Sequence, residues 1–174
     1  MTCHYTLDGS EPTPASPRIM TAPERYTWMP GLNESFDGHP LTLRGRKHDH
    51  GLGCRAPTQL LYDLESQDKR FVALAGIDDG FLSRGTDPKP GVNGRRVASL
   101  AKVIFKVFID GELAAASPTM RVSSEPWRFD VPIPPGARRL SLVVTSADRP
   151  HPLDCGNWIN AGFMRQNSGA AKAR

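Results

Sequence analysis

The chain has 174 residues, 39% hydrophobic and 23% charged, enough to bury a core without metal or disulfide staples. Its net charge of +4 comes from 22 basic and 18 acidic residues that are interleaved along the chain, which marks out no basic face for nucleic acid. The 16 glycines and 16 prolines exclude long helices, and no apolar run reaches the roughly 18–20 residues of a membrane span.

Residues 1–23 read apart from the rest, as the remnant of a neighbouring module or a linker. The N-terminus has no apolar leader segment. Tyr5-Thr6-Leu7-Asp8-Gly9-Ser10-Glu11-Pro12 carries an Asp-Gly turn signal, followed by Pro14 and Pro17, with almost no apolar periodicity. Strands are predicted at 41–43 and 59–64. The 71–77 segment is apolar on both faces, as a central strand is. At 102–109, Val103, Phe105, Val107 and Ile109 share one face, with Lys102 and Lys106 on the other. Asp110-Gly111 is a hairpin signal leading into a return strand at 112–116.

Further along, Trp127, Phe129, Val131 and Ile133 alternate with Arg128, Asp130 and Pro132. Leu140, Leu142 and Val144 alternate with Arg139, Ser141 and Val143, the period of half-buried strands. A last strand is predicted at 158–164. About eight short antiparallel strands, with no amphipathic helix, predict an all-β jelly-roll sandwich over 24–164. The Gly/Pro-rich stretch 79–98 reads as a long inserted loop, and 165–174 as a disordered tail.

Candidates for chemistry are few. Ser and Cys nucleophiles need an adjacent base, and no Gly-x-Ser-x-Gly elbow is present. Cys3, Cys54 and Cys155 lack the CxxC spacing of a zinc or redox site; Cys54 and Cys155 can pair if their strands lie side by side. His48 and His50 share a strand face, which is half a zinc site and otherwise a turn-region surface cluster. Asp78 and Asp79 have two readings: caps on backbone amides, or oxygen ligands of a calcium ion. Trp158 follows Asp154-Cys155-Gly156-Asn157 and is either a stacking platform for a sugar ring or the first core residue of the last strand. His50, His151, Asp154 and Asn157 are the candidates for polar contacts to sugar hydroxyls.

The ordered set Asp37-Gly38-His39-Pro40-Leu41-Thr42-Leu43-Arg44-Gly45, Gly51-Leu52-Gly53-Cys54-Arg55-Ala56-Pro57, Tyr62-Asp63-Leu64, Phe71 to Asp79, Val107 to Gly111, Leu142 to Thr145 and Asp154 to Trp158 resembles the NPCBM family. That family is also classed as carbohydrate-binding module family 51. The 5–13 stretch resembles the signature of the small β-sandwich that follows chitobiase and hexosaminidase catalytic domains. The resemblance implies a jelly roll appended to a secreted glycoside hydrolase, with no catalysis of its own. It implies binding of galactose-type glycans, an extracellular or periplasmic setting and an accompanying calcium ion.

Two departures stand out: the family's Gly-Val/Thr-His-Ala is Gly53-Cys54-Arg55-Ala56 here, and its Asp-His-Ala-Asp-Trp is Asp154-Cys155-Gly156-Asn157-Trp158. Arg55 can still donate to hydroxyls through its planar fork. The alternative is a structural or protein-interaction sandwich that has lost the sugar site.

Overall fold

The computed structural model describes residues 29–80 and 100–165, together with the backbone pairing of Arg18–Ile19 and Arg25–Tyr26. The 5–13 motif, residues 81–98 of the inserted loop and the tail beyond 165 lie outside the described residues.

All eight predicted strands form, and every pairing is antiparallel. Numbered along the chain, one sheet runs in the order β11 (Trp127–Pro132), β8 (Asp68–Ile77), β13 (Cys155–Arg165), β6 (Gly51–Arg55) and β3 (Gly31–Leu32). The backbone of β1 (Arg18–Ile19) pairs with β13 as well. The facing sheet runs β10 (Glu112–Ala116), β9 (Val103–Ile109), β12 (Arg139–Ser146), β7 (Thr58–Asp63) and β2 (Arg25–Tyr26). β4 (Leu41–Leu43) and β5 (Arg46–His48) form a separate hairpin. The 71–77 prediction extends into the ten-residue β8, paired along both edges; its faces are both apolar because Phe71, Ala73 and Ala75 enter the core and Leu74 packs on the other side.

Alternation places the core between the sheets. Phe71, Phe129, Trp158 and Phe163 meet Leu60, Phe105, Leu140 and Leu142, all essentially inaccessible to solvent. The Trp158 ring lies 5.0 Å from Phe105 at 86° and 5.1 Å from Phe129, the edge-to-face and tilted geometry that aromatic quadrupoles favour. Trp158 is therefore a core residue and not a sugar platform: its parity on β13 sends it inward. Gly156 makes room for this cluster, since a Cβ there would come 2.5 Å from Phe105 Cζ.

The opposite face of the first sheet is covered too. Residues 33–48, ending in the β4–β5 hairpin, fold over it as a flap, and Leu41 and Leu43 pack on Ile159 and Leu74 in a small second core. Backbone 34–36 lies directly on Gly53, where a Cβ would come 2.5 Å from Phe36 N. This explains why β6 escaped the sequence reading. A strand covered on both faces shows no alternation, and its two glycines, needed for close approach, weaken the strand signal.

Cys54 and Cys155 do not pair. Their strands are neighbours, but Gly156 opposes Cys54 and Arg55 opposes Cys155, so the thiols point to opposite faces of the sheet. Both are buried and free.

Candidate functional site

The two departures from the family pattern meet in space. Arg55, last residue of β6, is the cross-strand partner of Cys155, first residue of β13. Both project to the flap side of the sheet. The flap contributes Phe36, half-buried, whose ring lies beneath the Arg55 guanidinium at 5.8 Å. That contact holds the planar group by cation–π attraction and leaves its N–H edge unused. Arg55 is exposed and makes no side-chain hydrogen bond or ion pair among the described residues. The Asp37 carboxylate, also exposed, lies within electrostatic reach of the Cys155 thiol on the same side. Burial pushes that thiol up to about 12, with Asp37 and Asp78 adding to the shift and Arg55 opposing it. Cys155 is thus a neutral group within electrostatic reach of the Arg55 cation and of the Asp37 carboxylate.

Local structure fixes this corner. Thr58 Oγ1 donates to the Arg55 carbonyl, and Ala56 N–H to the Asp154 carbonyl at 2.8 Å. The flap turn is closed by Ser35 N–H on His39 O at 2.6 Å and Gly38 N–H on Ser35 O at 2.9 Å.

The remaining sequence candidates do not join Arg55 in an open site. Asp154 is wholly buried, with Oδ1 accepting from Lys102 N–H (2.9 Å) and Oδ2 from Ser146 Oγ (2.6 Å) and His151 N–H (2.9 Å). It organises the 146–154 loop, and no oxygen faces a ligand. His151 is half-buried, its Nδ1 accepting from Leu153 N–H at 3.2 Å. Asn157 is wholly buried under the flap and donates to Thr42 O (3.4 Å) and Asp78 Oδ1 (3.2 Å). His50 is exposed just before β6, roughly 17 Å of extended chain from Arg55. Polar loop residues look alike in sequence whether they face solvent or fold inward to satisfy backbone amides.

Asp78 and Asp79 bolt the flap down. Asp78 Oδ1 accepts from Thr42 N–H (3.3 Å), Gly80 N–H (3.3 Å) and Asn157, while Asp79 Oδ2 accepts from Gly45 N–H (2.8 Å). A calcium ion needs six or more oxygen ligands. These oxygens face N–H donors, while two further buried oxygens beside them, Asp79 Oδ1 and Asn157 Oδ1, have no hydrogen-bond partner. Among the described residues no three His, Cys, Asp or Glu side chains gather as a metal set. The pair caps backbone amides, the first of its two readings.

Phe36 and Asp37 were missed as site residues. The Phe36-Asp37-Gly38 turn places an aromatic and a carboxylate before a glycine, here at φ +75°, but nothing in it says that the segment comes to rest on β6.

A two-sheet jelly roll with an exposed polar corner, whose buried aspartates accept from its own backbone amides, defines a binding module. The NPCBM/NEW2 domain family matches residues 19–164, and the chain belongs to that family of non-catalytic carbohydrate-binding modules. It is 26% identical over 159 residues to alpha-1,3-galactosidase B of Akkermansia muciniphila, a match covering 90% of this chain and 18% of the relative. The chain spans less than a fifth of the length of the curated relatives it matches. Among solved structures it resembles the CBM51 module of a Clostridium perfringens family 95 glycoside hydrolase in complex with methyl-galactose, with a TM-score of 0.66 and 23% identity. That alignment covers 82% of this chain and 94% of the other. The second CBM51 module of Clostridium perfringens ZmpB, solved with GlcNAc, gives a TM-score of 0.65 and 24% identity over 82% of this chain and 30% of that one. No helix among the described residues is long and apolar enough to cross a membrane.

Proposed function

We propose that this chain tethers a larger glycan-active protein to galactose-type glycans, using the exposed corner of Arg55, Phe36 and Asp37. The observation that carries the reading is the exposed Arg55 guanidinium over the Phe36 ring, with no hydrogen bond of its own among the described residues and the Asp37 carboxylate on the same side. A fork of donors beside an acceptor matches adjacent sugar hydroxyls, each of which donates and accepts. The likeness to a module solved with methyl-galactose and to an alpha-1,3-galactosidase supports galactose as the sugar. The same reading puts the chain outside the cytoplasm, where such glycans are displayed, and takes the 5–13 signature as the edge of a neighbouring module.

Titration with methyl-galactoside and with N-acetylglucosamine tests it. Saturable binding of the galactoside with Kd near 1 mM, about −4 kcal/mol, is expected. Arg55→Ala weakens it about tenfold through loss of charged hydrogen bonds, with only a small fall in melting temperature from the lost Phe36 contact. Absence of saturable binding to any galactoside makes the chain an interaction sandwich instead.

A further inference from the structure

A cleft of about 700 Å³ opens at the other end of the sandwich. The Arg55 corner sits where β7 begins, and the cleft where β7 ends at Asp63, roughly 17 Å further along that strand. Its walls are the turn joining β7 to β8 and the turn joining β11 to β12. Backbone hydrogen bonds tie the two turns together on both sides: Leu64 N–H to Arg138 O and Ile133 N–H to Lys69 O, each 2.8 Å. Pro134 and Pro135 stiffen the second wall, and the Ala137 N–H bond to Pro134 O (3.2 Å) closes its turn. This frame is built before any ligand arrives, which lowers the ordering cost of binding.

The cleft lining carries three carboxylates, Asp63, Glu65 and Asp68, and three cations, Lys69, Arg138 and Arg139, but these do not pair one to one. Asp63 pairs with Arg139 at 3.6 Å, and Arg165, a nearly buried cation, pairs with both Glu65 (2.6 Å) and Asp68 (3.2 Å). Two cations are left without a carboxylate among the described residues. Lys69 Nζ donates to the neutral Ser66 carbonyl at 2.7 Å. The Arg138 guanidinium has no hydrogen bond or ion pair there at all. The nearby Asp110 carboxylate is turned to the backbone amides of Arg138 and Arg139, at 3.0 and 2.8 Å.

A cleft that combines an apolar proline wall with two cations lacking a carboxylate suits a ring with a C–H face and a carboxylate. We propose that this cleft is a second ligand site, distinct from the Arg55 corner, that takes a carboxylate-bearing sugar such as a sialic or uronic acid. Arg138 receives the carboxylate through its fork, Lys69 supplies a second positive donor, and Pro134 and Pro135 carry the ring. The site would let one module read an acidic residue and a neutral one on the same glycan surface, where joint engagement raises avidity without tightening either contact.

The experiment is titration of the full chain, followed by amide NMR shifts, with methyl sialoside, glucuronate and acetate. The expected result is saturable binding of at least one acidic sugar, with shifts at 63–69 and 133–139. Arg138→Ala and Lys69→Gln each weaken it about tenfold, whereas Arg55→Ala leaves it unchanged. Raising salt weakens it further, since the cleft is open to solvent. The Arg138 side chain holds nothing in the fold, so its removal leaves a folded protein, and Arg138→Glu serves as a charge-reversed check. Three results overturn the proposal: no saturable binding of either acidic sugar, binding that Arg55→Ala abolishes and Arg138→Ala spares, or acetate binding as tightly as the sugars. None of these bears on galactoside binding at Arg55, so the two readings fail separately.

Discussion

Strand β13 divides the molecule into two interiors built on different physics. Its inward residues, Gly156, Trp158, Ala161 and Phe163, enter an aromatic core in which no polar group is required to point anywhere. Its outward residues, Cys155, Asn157 and Ile159, lie under the flap, where three leucines and an isoleucine make a core too small to hold a lid by itself. Directional bonds from Asp78, Asp79 and Asn157 complete the job. The first interior depends on shape and area, the second on which oxygen meets which N–H.

The sharpest way to separate the two is to empty the core. Trp158→Ala removes the largest buried side chain and is expected to cost about 3–5 kcal/mol, a large share of the stability of a small domain, measurable by urea denaturation. Trp158→Phe loses far less, because the indole N–H has no partner to forfeit. If both variants lose equally, the Trp158 N–H is held by something other than packing.

On the flap side, Asp78→Ala leaves the amides of Thr42 and Gly80 and the Asn157 side chain without their acceptor. A loss of about 1–3 kcal/mol is expected. Hydrogen exchange should localise it: the Thr42 amide loses protection while amides of β9 and β12 keep theirs. Equal loss in both places would mean that the interiors unfold as one unit and the contrast is not energetic.

The smallest effect is set by pH. The Cys155 thiol, ordinarily near 9.0, is pushed to about 12 mainly by burial, and Cys54 is raised as well. In the unfolded chain these thiols ionise first, so stability is full below about pH 9 and falls as pH rises towards the folded value, by about 1 kcal/mol per thiol near pH 10. Cys155→Ala removes the flap-side share of that slope and leaves the share of Cys54.

The core interior was legible in the sequence because burial on one face writes alternation into a strand, as at 103–109 and 140–144. The flap interior was not. Gly51 to Arg55 is covered on both faces, so it lacks the pattern, and Asp78, Asp79, Asp154 and Asn157 carry the residue types of a ligand site while serving as internal bolts. Reading them required knowing which backbone amides come near, and those are supplied by segments as distant as Thr42 is from Asn157. At the site, Arg55 was visible as a departure from a motif. Its partner Phe36 was not, because nothing local says that a flap residue nineteen positions upstream comes to rest beneath it. The Lys69–Arg138 cleft was equally silent, joining two turns that are remote in the chain.

The cation–π contact between Arg55 and Phe36 crosses the seam between sheet and flap. A sugar seated on both sides of that seam binds the closed flap and not the open one, so occupancy and closure are linked equilibria. Loosening a bolt as far from the ligand as Asp79 then lowers apparent affinity in proportion to the population of open flap, and sugar in turn slows exchange of the Gly45 amide. The module would report the presence of its glycan in the tightness of a hairpin that the glycan never touches.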